Sequence, residues 1–190
     1  NTKMLPVVRV PWNDAVTIKR VLDAGAQTLL VPFVQNADEA ARAVAATRYP
    51  PEGMRGIAAL SRASCYGTAP DHYRVANRSI GVVVQLETVQ AIERLEEIAA
   101  VPGVDALFIG PADLSASMGH VGEPAHPAVV ATMVDAAERA RAVDKPIGTL
   151  GSTPEVVTRY RAAGFVIVGH VDFLPHVFMW RTYVLRKKSP

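Results

Sequence analysis

The chain has 190 residues, 49% hydrophobic and 20% charged, with 20 basic against 18 acidic side chains and a net charge of +2. This suits one soluble domain, residues 1–190, with a sizeable core. Nucleic-acid binding has no electrostatic footprint, because only Arg186-Lys187-Lys188 cluster. No apolar run reaches the ~18 residues that suggest a membrane span. A single cysteine, Cys65, excludes an internal disulfide framework and fits a reducing cytoplasm. The opening residues Asn1-Thr2-Lys3-Met4-Leu5 do not read as a signal peptide. They also lack an initiator Met, so the expectation is a processed or incomplete chain.

In chain order, strands are expected at Pro6–Val10, Thr28–Val34, Ile80–Glu87, Ala106–Ile109, Pro146–Leu150 and Phe165–Val168. Their nearly unbroken Val, Ile, Leu and Phe content is that of parallel strands buried on both faces. Amphipathic helices are expected between them, at Ala15–Ala24, Val89–Ala100, Pro127–Val143 and Thr153–Ala163. Gly25, Gly103 and Gly164 each follow a helix and precede a strand, where a left-handed residue is common. Ser152-Thr153-Pro154-Glu155 reads as a helix start. The poorly periodic stretch Pro50–Ser79 reads as an active-site loop.

Six strands with helical crossovers give an α/β fold on a parallel sheet, either doubly wound or closed into a (β/α)8 TIM barrel. No G-x-G-x-x-G follows the first strand, which removes the main argument for a dinucleotide fold. A barrel typically needs ~250 residues, so the expectation is a barrel lacking about two βα units at one end. In either architecture ligands bind beyond the carboxyl ends of the strands. Those ends carry Arg9 on the first strand, Gln85 and Glu87 on the third, and Asp113 after the fourth. Gln85 and Glu87, two apart, share one side of their strand. Two carboxylates with open positions suit Mg²⁺ or Mn²⁺. Arg9 would neutralise an anionic substrate or enolate, and the N–H groups of Ala112 and Asp113, at a helix start, would grip a carboxylate.

Plainer readings stand beside these. Asp113 could serve as an N-cap, Glu87 as a solvated first-turn acid, and Arg9 as an ion-pair partner. His72, His120, His126, His170 and His176 show no metal-ligand spacing, and most fit surface or capping roles. Cys65 has no evident His partner, and Ser61 and Ser64 lack a nucleophile-elbow pattern. Trp12 and Phe33 fit packing as well as they fit a pocket wall.

The strings Pro6-Val7-Val8-Arg9, Trp12-Asn13-Asp14, Leu29-Leu30-Val31-Pro32, Arg48-Tyr49-Pro50-Pro51, Arg55-Gly56, Val84-Gln85-Leu86-Glu87-Thr88 and Phe108-Ile109-Gly110-Pro111-Ala112-Asp113-Leu114-Ser115 resemble the HpcH/HpaI aldolase/citrate lyase family. The resemblance runs from about Pro6 to about Leu174 and is nearest to the 4-hydroxy-2-oxoheptanedioate (2,4-dihydroxyhept-2-ene-1,7-dioate) aldolases. It implies a class II pyruvate aldolase, a carbon–carbon lyase of aromatic catabolism. The fold would be a (β/α)8 barrel, assembled as a hexamer (a trimer of dimers) whose subunits exchange C-terminal helices. Glu87 and Asp113 would bind Mg²⁺, Mn²⁺ or Co²⁺. Arg9 would contact the pyruvate carbonyl and stabilise its enolate, and Gln85 would support the metal's water shell. The amides of Ala112 and Asp113 would hold the pyruvate carboxylate, Leu150 would border the aldehyde pocket, and Asp23 would reach toward a neighbouring subunit's site.

The chain departs from the family pattern in several places. The His–Asp dyad that activates the hydroxyl in the family falls on a segment that would precede Asn1. Cys65 stands where relatives usually carry a basic residue, and Gly169-His170-Val171-Asp172 differs in spacing from the usual Val-Gly-x-Asp. The tail from about residue 175 is unlike the family's final helix, with Phe178, Met179, Trp180, Tyr183 and Leu185, and suggests oligomer contacts. Two alternatives follow. One is an aldolase for 2-dehydro-3-deoxyglucarate or rhamnonate; the other is a truncated subunit that binds metal and pyruvate without efficient turnover.

Overall fold

The computed structural model describes residues 6–151, 153–174 and 177–184, with those after 166 described as backbone only. Ser152, His176, Leu185 and the Arg186-Lys187-Lys188 cluster lie outside the described residues. The strands are β1 (Val8–Arg9), β2 (Thr28–Val31), β3 (Gly81–Leu86), β4 (Ala106–Ile109), β5 (Ile147–Gly151), β6 (Ile167–Leu174) and β7 (Val177–Val184). They form one sheet in the order β1-β2-β3-β4-β5-β6-β7. Every pair from β1 to β6 is parallel, and β7 joins β6 antiparallel.

Strict sequential order decides between the two architectures left open by the sequence. A doubly wound sheet reverses direction once, placing helices on both faces. Here no reversal occurs, and crossovers of one hand put the helices on one face. The result is a curled, half-barrel sheet. The two faces differ accordingly. Leu29, Val31, Val82, Val84, Leu86, Leu107, Ile109 and Ile147 belong to the main core with Ile18, Leu22, Ile92, Leu95, Ile98 and Met133 of the helices. The alternate residues Leu30, Val83, Ala106 and Phe108, with Leu150, form a second, smaller cluster on the concave face. The period of two thus continues to the strand ends, where Gln85 and Glu87 follow Val83 on the concave side.

The helices start where local chemistry predicts. Asp14, Asn36, Thr88 and Thr153 each accept a hydrogen bond from the first turn of α1 (Ala15–Asp23), α2 (Ala37–Thr47), α4 (Val89–Glu93) and α8 (Pro154–Ala162). Gly25, Gly103 and Gly164 all take positive φ, at +103°, +90° and +101°. Several boundaries differ from expectation. The helix expected at Val89–Ala100 breaks at Arg94 into α4 and α5 (Leu95–Ala99). The loop expected at Pro50–Ser79 ends in α3 (His72–Ser79), and α2 is a helix with an alanine-rich buried face. β2 stops at Val31 rather than Val34, because Pro32 has no N–H for the ladder and Phe33 turns left-handed, at φ +57°. The last expected strand, Phe165–Val168, instead runs as β6 to Leu174 and turns back into β7. The β-branched and aromatic content of Val177–Val184 explains that strand. The remaining helices are α6 (Pro111–Ser117) and α7 (Pro127–Ala142).

Candidate active site

The carboxyl ends of β1, β3 and β4 converge on the Glu87 carboxyl group. Glu87 is only 2% exposed and belongs to the link between β3 and the N-cap Thr88, so the reading as a solvated first-turn acid fails. Its Oε2 accepts the Phe33 N–H at 2.8 Å. Its Oε1 accepts from Gln85 Nε2 at 2.6 Å, and Arg9 Nη2 lies 3.7 Å away. Arg9 Nε in turn donates to Gln85 Oε1 at 3.1 Å. Gln85 therefore bridges the guanidinium and the carboxylate, with its donor to one and its acceptor to the other. Arg9 is an ion-pair partner and remains about half exposed, so it can reach outward as well.

Asp113 lies in the first turn of α6, near enough to Glu87 to raise its pKa. The N-cap there is Gly110, with no side-chain cap bond, so Asp113 is not the N-cap. Unlike the helices capped by Asp14 or Thr88, α6 thus lacks a capping side chain over its first turn. The amides of Ala112 and Asp113 belong to that turn, whose N–H groups have no intrahelical acceptor. Burial pushes the Glu87 pKa up to about 7, and the charge and carboxyl group of Asp113 push the same way. The Phe33 N–H and the Arg9 charge oppose them. A buried acid beside a second acid, incompletely neutralised by one guanidinium, is an arrangement a cation would stabilise.

Gly110 and the backbone amide of Phe33 also belong to this site, although the sequence marks Phe33 only as packing or a pocket wall. A Cβ on Gly110 would lie 2.7 Å from Gln85 Nε2 and 2.8 Å from Glu87 Oε1. Only glycine lets the backbone after β4 approach so closely. The one available clue was its place between a strand and a proline-led helix. For Phe33, the clue was Pro32, which ends the strand and frees the next amide to turn inward. Trp12 and Phe33 stack at 5.4 Å between ring centroids and are both exposed. Leu150 lies on the concave face one residue beyond Thr149, the partner of Ile109. That register places Leu150 level with Gly110.

The remaining candidates lie elsewhere. His126 caps α7 by accepting from the Ala128 N–H at 3.3 Å. Its ring stacks on His120 at 3.6 Å. The ligand atoms of His120, Glu123 and His126 lie within 4.8 Å of one another, a grouping created by two successive loop turns and so not visible as a ligand spacing in the sequence. His72 packs edge-on against Tyr49 and Tyr73. Cys65 is exposed and free. Burial works to raise the Asp23 pKa, but Arg55 and Lys19 together hold it below the usual range.

Comparison with known proteins agrees with this picture. The HpcH/HpaI aldolase/citrate lyase profile matches residues 1–170. A 2-dehydro-3,6-dideoxy-6-sulfogluconate aldolase from Pseudomonas putida is 52% identical over 160 residues, covering 84% of this chain and 63% of its own. A 4-hydroxy-2-oxo-heptane-1,7-dioate aldolase from Klebsiella pneumoniae is 53% identical over 167 residues, covering 86% and 63%. The crystal structure of a HpcH/HpaI aldolase/citrate lyase family protein from Burkholderia cenocepacia superposes with a TM-score of 0.83 at 40% identity, covering 86% of this chain and 65% of that one. The chain thus spans less than two thirds of the length of each of these relatives.

Proposed function

The chain belongs to the HpcH/HpaI aldolase/citrate lyase family, and from that membership we propose that it forms the greater part of a divalent-metal-dependent pyruvate aldolase. The reaction is cleavage of a 4-hydroxy-2-oxo acid, such as 4-hydroxy-2-oxoheptanedioate, to pyruvate and an aldehyde. The observation that carries this reading is the buried Glu87 carboxyl, opposed by Asp113 and shared by Gln85 and Arg9. We place the curled sheet within a cytoplasmic (β/α)8 barrel whose first two βα units lie outside this chain. Its assembly is a hexamer, a trimer of dimers, with the tail from about residue 175 in subunit contacts. Among the described residues, no helix is long and apolar enough to cross a membrane.

The donor set fits a hard divalent cation, Mg²⁺, Mn²⁺ or Co²⁺: two carboxylates, one of them kept partly protonated by burial until a positive charge arrives. Glu87 and Asp113 would hold it, and when bound it supplies Lewis-acid polarisation of the substrate's ketone. Gln85 fixes the Glu87 carboxylate through its amide and orients Arg9 through its carbonyl oxygen. Arg9 then directs its remaining N–H donors at the oxygen that becomes the pyruvate enolate as the C3–C4 bond breaks. The Ala112 and Asp113 amides, in the first turn of a helix without a side-chain cap, hold the substrate carboxylate. Leu150 forms an apolar border beside the departing aldehyde. Of the described imidazoles, His72 packs against Tyr49 and Tyr73, and His120 stacks on His126. The proton acceptor for the 4-hydroxyl is accordingly assigned to the family's His–Asp dyad.

Treatment with a chelator is expected to abolish pyruvate release, and Mg²⁺ or Mn²⁺ to restore it. Full activity in excess chelator would sink the metal-dependent reading. Near-equal identity to an aldolase named for a sulfosugar acid supports a second reading, an aldolase for sugar-derived acids such as 2-dehydro-3-deoxyglucarate or rhamnonate. Pyruvate release across a panel of 4-hydroxy-2-oxo acids decides between them. Pyruvate and metal binding with no release from any member would instead mark a binding-competent, non-catalytic subunit.

A further inference from the structure

At the opposite end of the sheet from Glu87, a cavity of about 130 Å³ lies beneath the segments that lead into β2 and β3. Its lining combines Gly25, Ala26 and Ile80 of those segments with Leu22 of α1, Ala63, Val75 and Ala76, and four polar residues, Gln27, Arg55, His72 and Ser79. Arg55 is 2% exposed. Its Nη2 is engaged by Asp23 at 2.8 Å, and its guanidinium carbon sits 4.5 Å from the Tyr49 ring centroid. The guanidinium plane is therefore fixed from one edge and one face. Its Nε–H has no hydrogen-bond partner among the described residues, and neither does His72 Nε2. A buried guanidinium N–H left without an acceptor is costly, so these groups call for an acceptor within the cavity.

The local charge favours an anion. Asp23 is shared by Arg55 and Lys19, leaving one net positive charge in that group. The Arg62 stem lies across Gly25 at the rim, its Cγ and Cδ each 3.5 Å from where a Gly25 Cβ would stand. Most of the remaining wall is apolar, which strengthens a charge-assisted hydrogen bond there. A cavity of this size takes a molecule of a few heavy atoms.

We propose that this cavity is a binding site for a small oxyanion, a phosphate or carboxylate group, held by Arg55 Nε–H and His72 Nε2–H. The site lies at the amino ends of the strands, so it is separate from the Arg9–Gln85–Glu87 cluster. Its occupant braces Arg55, and through it Asp23, from the side that Tyr49 and Asp23 leave open.

The test titrates the full chain with sodium phosphate and, separately, sodium acetate at constant ionic strength, following the melting temperature. A saturable rise with either anion is expected, and the arm that saturates identifies a tetrahedral or a planar occupant. Ala76→Met, which fills the cavity, is expected to raise the half-saturating concentration at least roughly tenfold, the scale of one lost charge-assisted hydrogen bond. No saturable rise with either anion overturns the proposal, as does an unchanged rise in Ala76→Met, which would place the anion elsewhere. If Ala76→Met does not fold by circular dichroism, the Arg55 Nε–H resonance of the unaltered chain decides. Movement with saturating anion supports the site, and a resonance that stays fixed overturns it. None of these readouts depends on aldolase activity.

Discussion

Glu87→Gln is expected to abolish metal binding while making the metal-free chain more stable at alkaline pH. The two effects have one cause. Glu87 titrates at about 7 in the fold, against an ordinary value of 4.5, chiefly because it is buried. A folded pKa above the unfolded one means that the group's stability contribution is complete below pH 4.5. That contribution is lost as pH rises through 7. At pH 8 the ionised carboxylate costs on the order of 3 kcal/mol relative to a neutral isostere, from the linkage of pKa to free energy. Gln removes that cost along with the charge that attracts a cation. Without metal, Glu87→Gln should therefore gain melting temperature on the parent between pH 5 and pH 8, whatever offset its NH2, set against one of the two N–H donors, gives at pH 5. The parent's metal affinity should fall about tenfold per pH unit below 7, as protons compete for the site. An alkaline stability that Gln leaves unchanged would show that burial does not raise the Glu87 pKa.

The second large effect is expected from a single methyl group. In Gly110→Ala the new Cβ falls 2.7 Å from Gln85 Nε2 and 2.8 Å from Glu87 Oε1, with Glu87 Cγ at 3.0 Å. Both partners are buried and hydrogen-bonded to each other, so neither can swing aside without breaking a bond. Overpacking of this kind typically costs about 1–3 kcal/mol. Its chemical effect should exceed its effect on stability, because displacing Glu87 removes both the carboxylate and the Gln85 bridge to Arg9. We expect pyruvate release to fall roughly 10²-fold or more, the range seen when a preorganised polar group is lost from an active site. Calorimetric titration with Mn²⁺ should show affinity lost in parallel. Normal affinity in a folded Gly110→Ala protein would mean that the approach of β4 to Glu87 does not matter for the site.

The sequence made the sheet legible because parallel strands buried on both faces are almost purely apolar, as in Val82-Val83-Val84. It also made Gln85 and Glu87 legible as a same-side pair, because a period of two leaves no choice. What it could not show were contacts set by backbone shape. Phe33 enters the site through its amide and not its ring. Gly110 enters through the absence of a side chain, which leaves no chemical trace in a list of reactive residues. The His120, Glu123 and His126 grouping escaped for a related reason: its turns set a proximity that counting residues along a helix would not give. The residues of β7 look like an apolar tail in the sequence, because their β-branched and aromatic content fits a strand without saying what it pairs with.

The Phe33 N–H has a use beyond holding Glu87 in place. Its acceptor is the one carboxylate oxygen not taken by Gln85, so its hydrogen bond is charge-assisted when Glu87 is ionised and ordinary when Glu87 is protonated. A single backbone amide, resolvable in a nitrogen–proton spectrum, therefore reports the protonation state of a side chain hidden from solvent. Its shift should follow a titration centred near pH 7. The mouth of this sheet carries its own indicator.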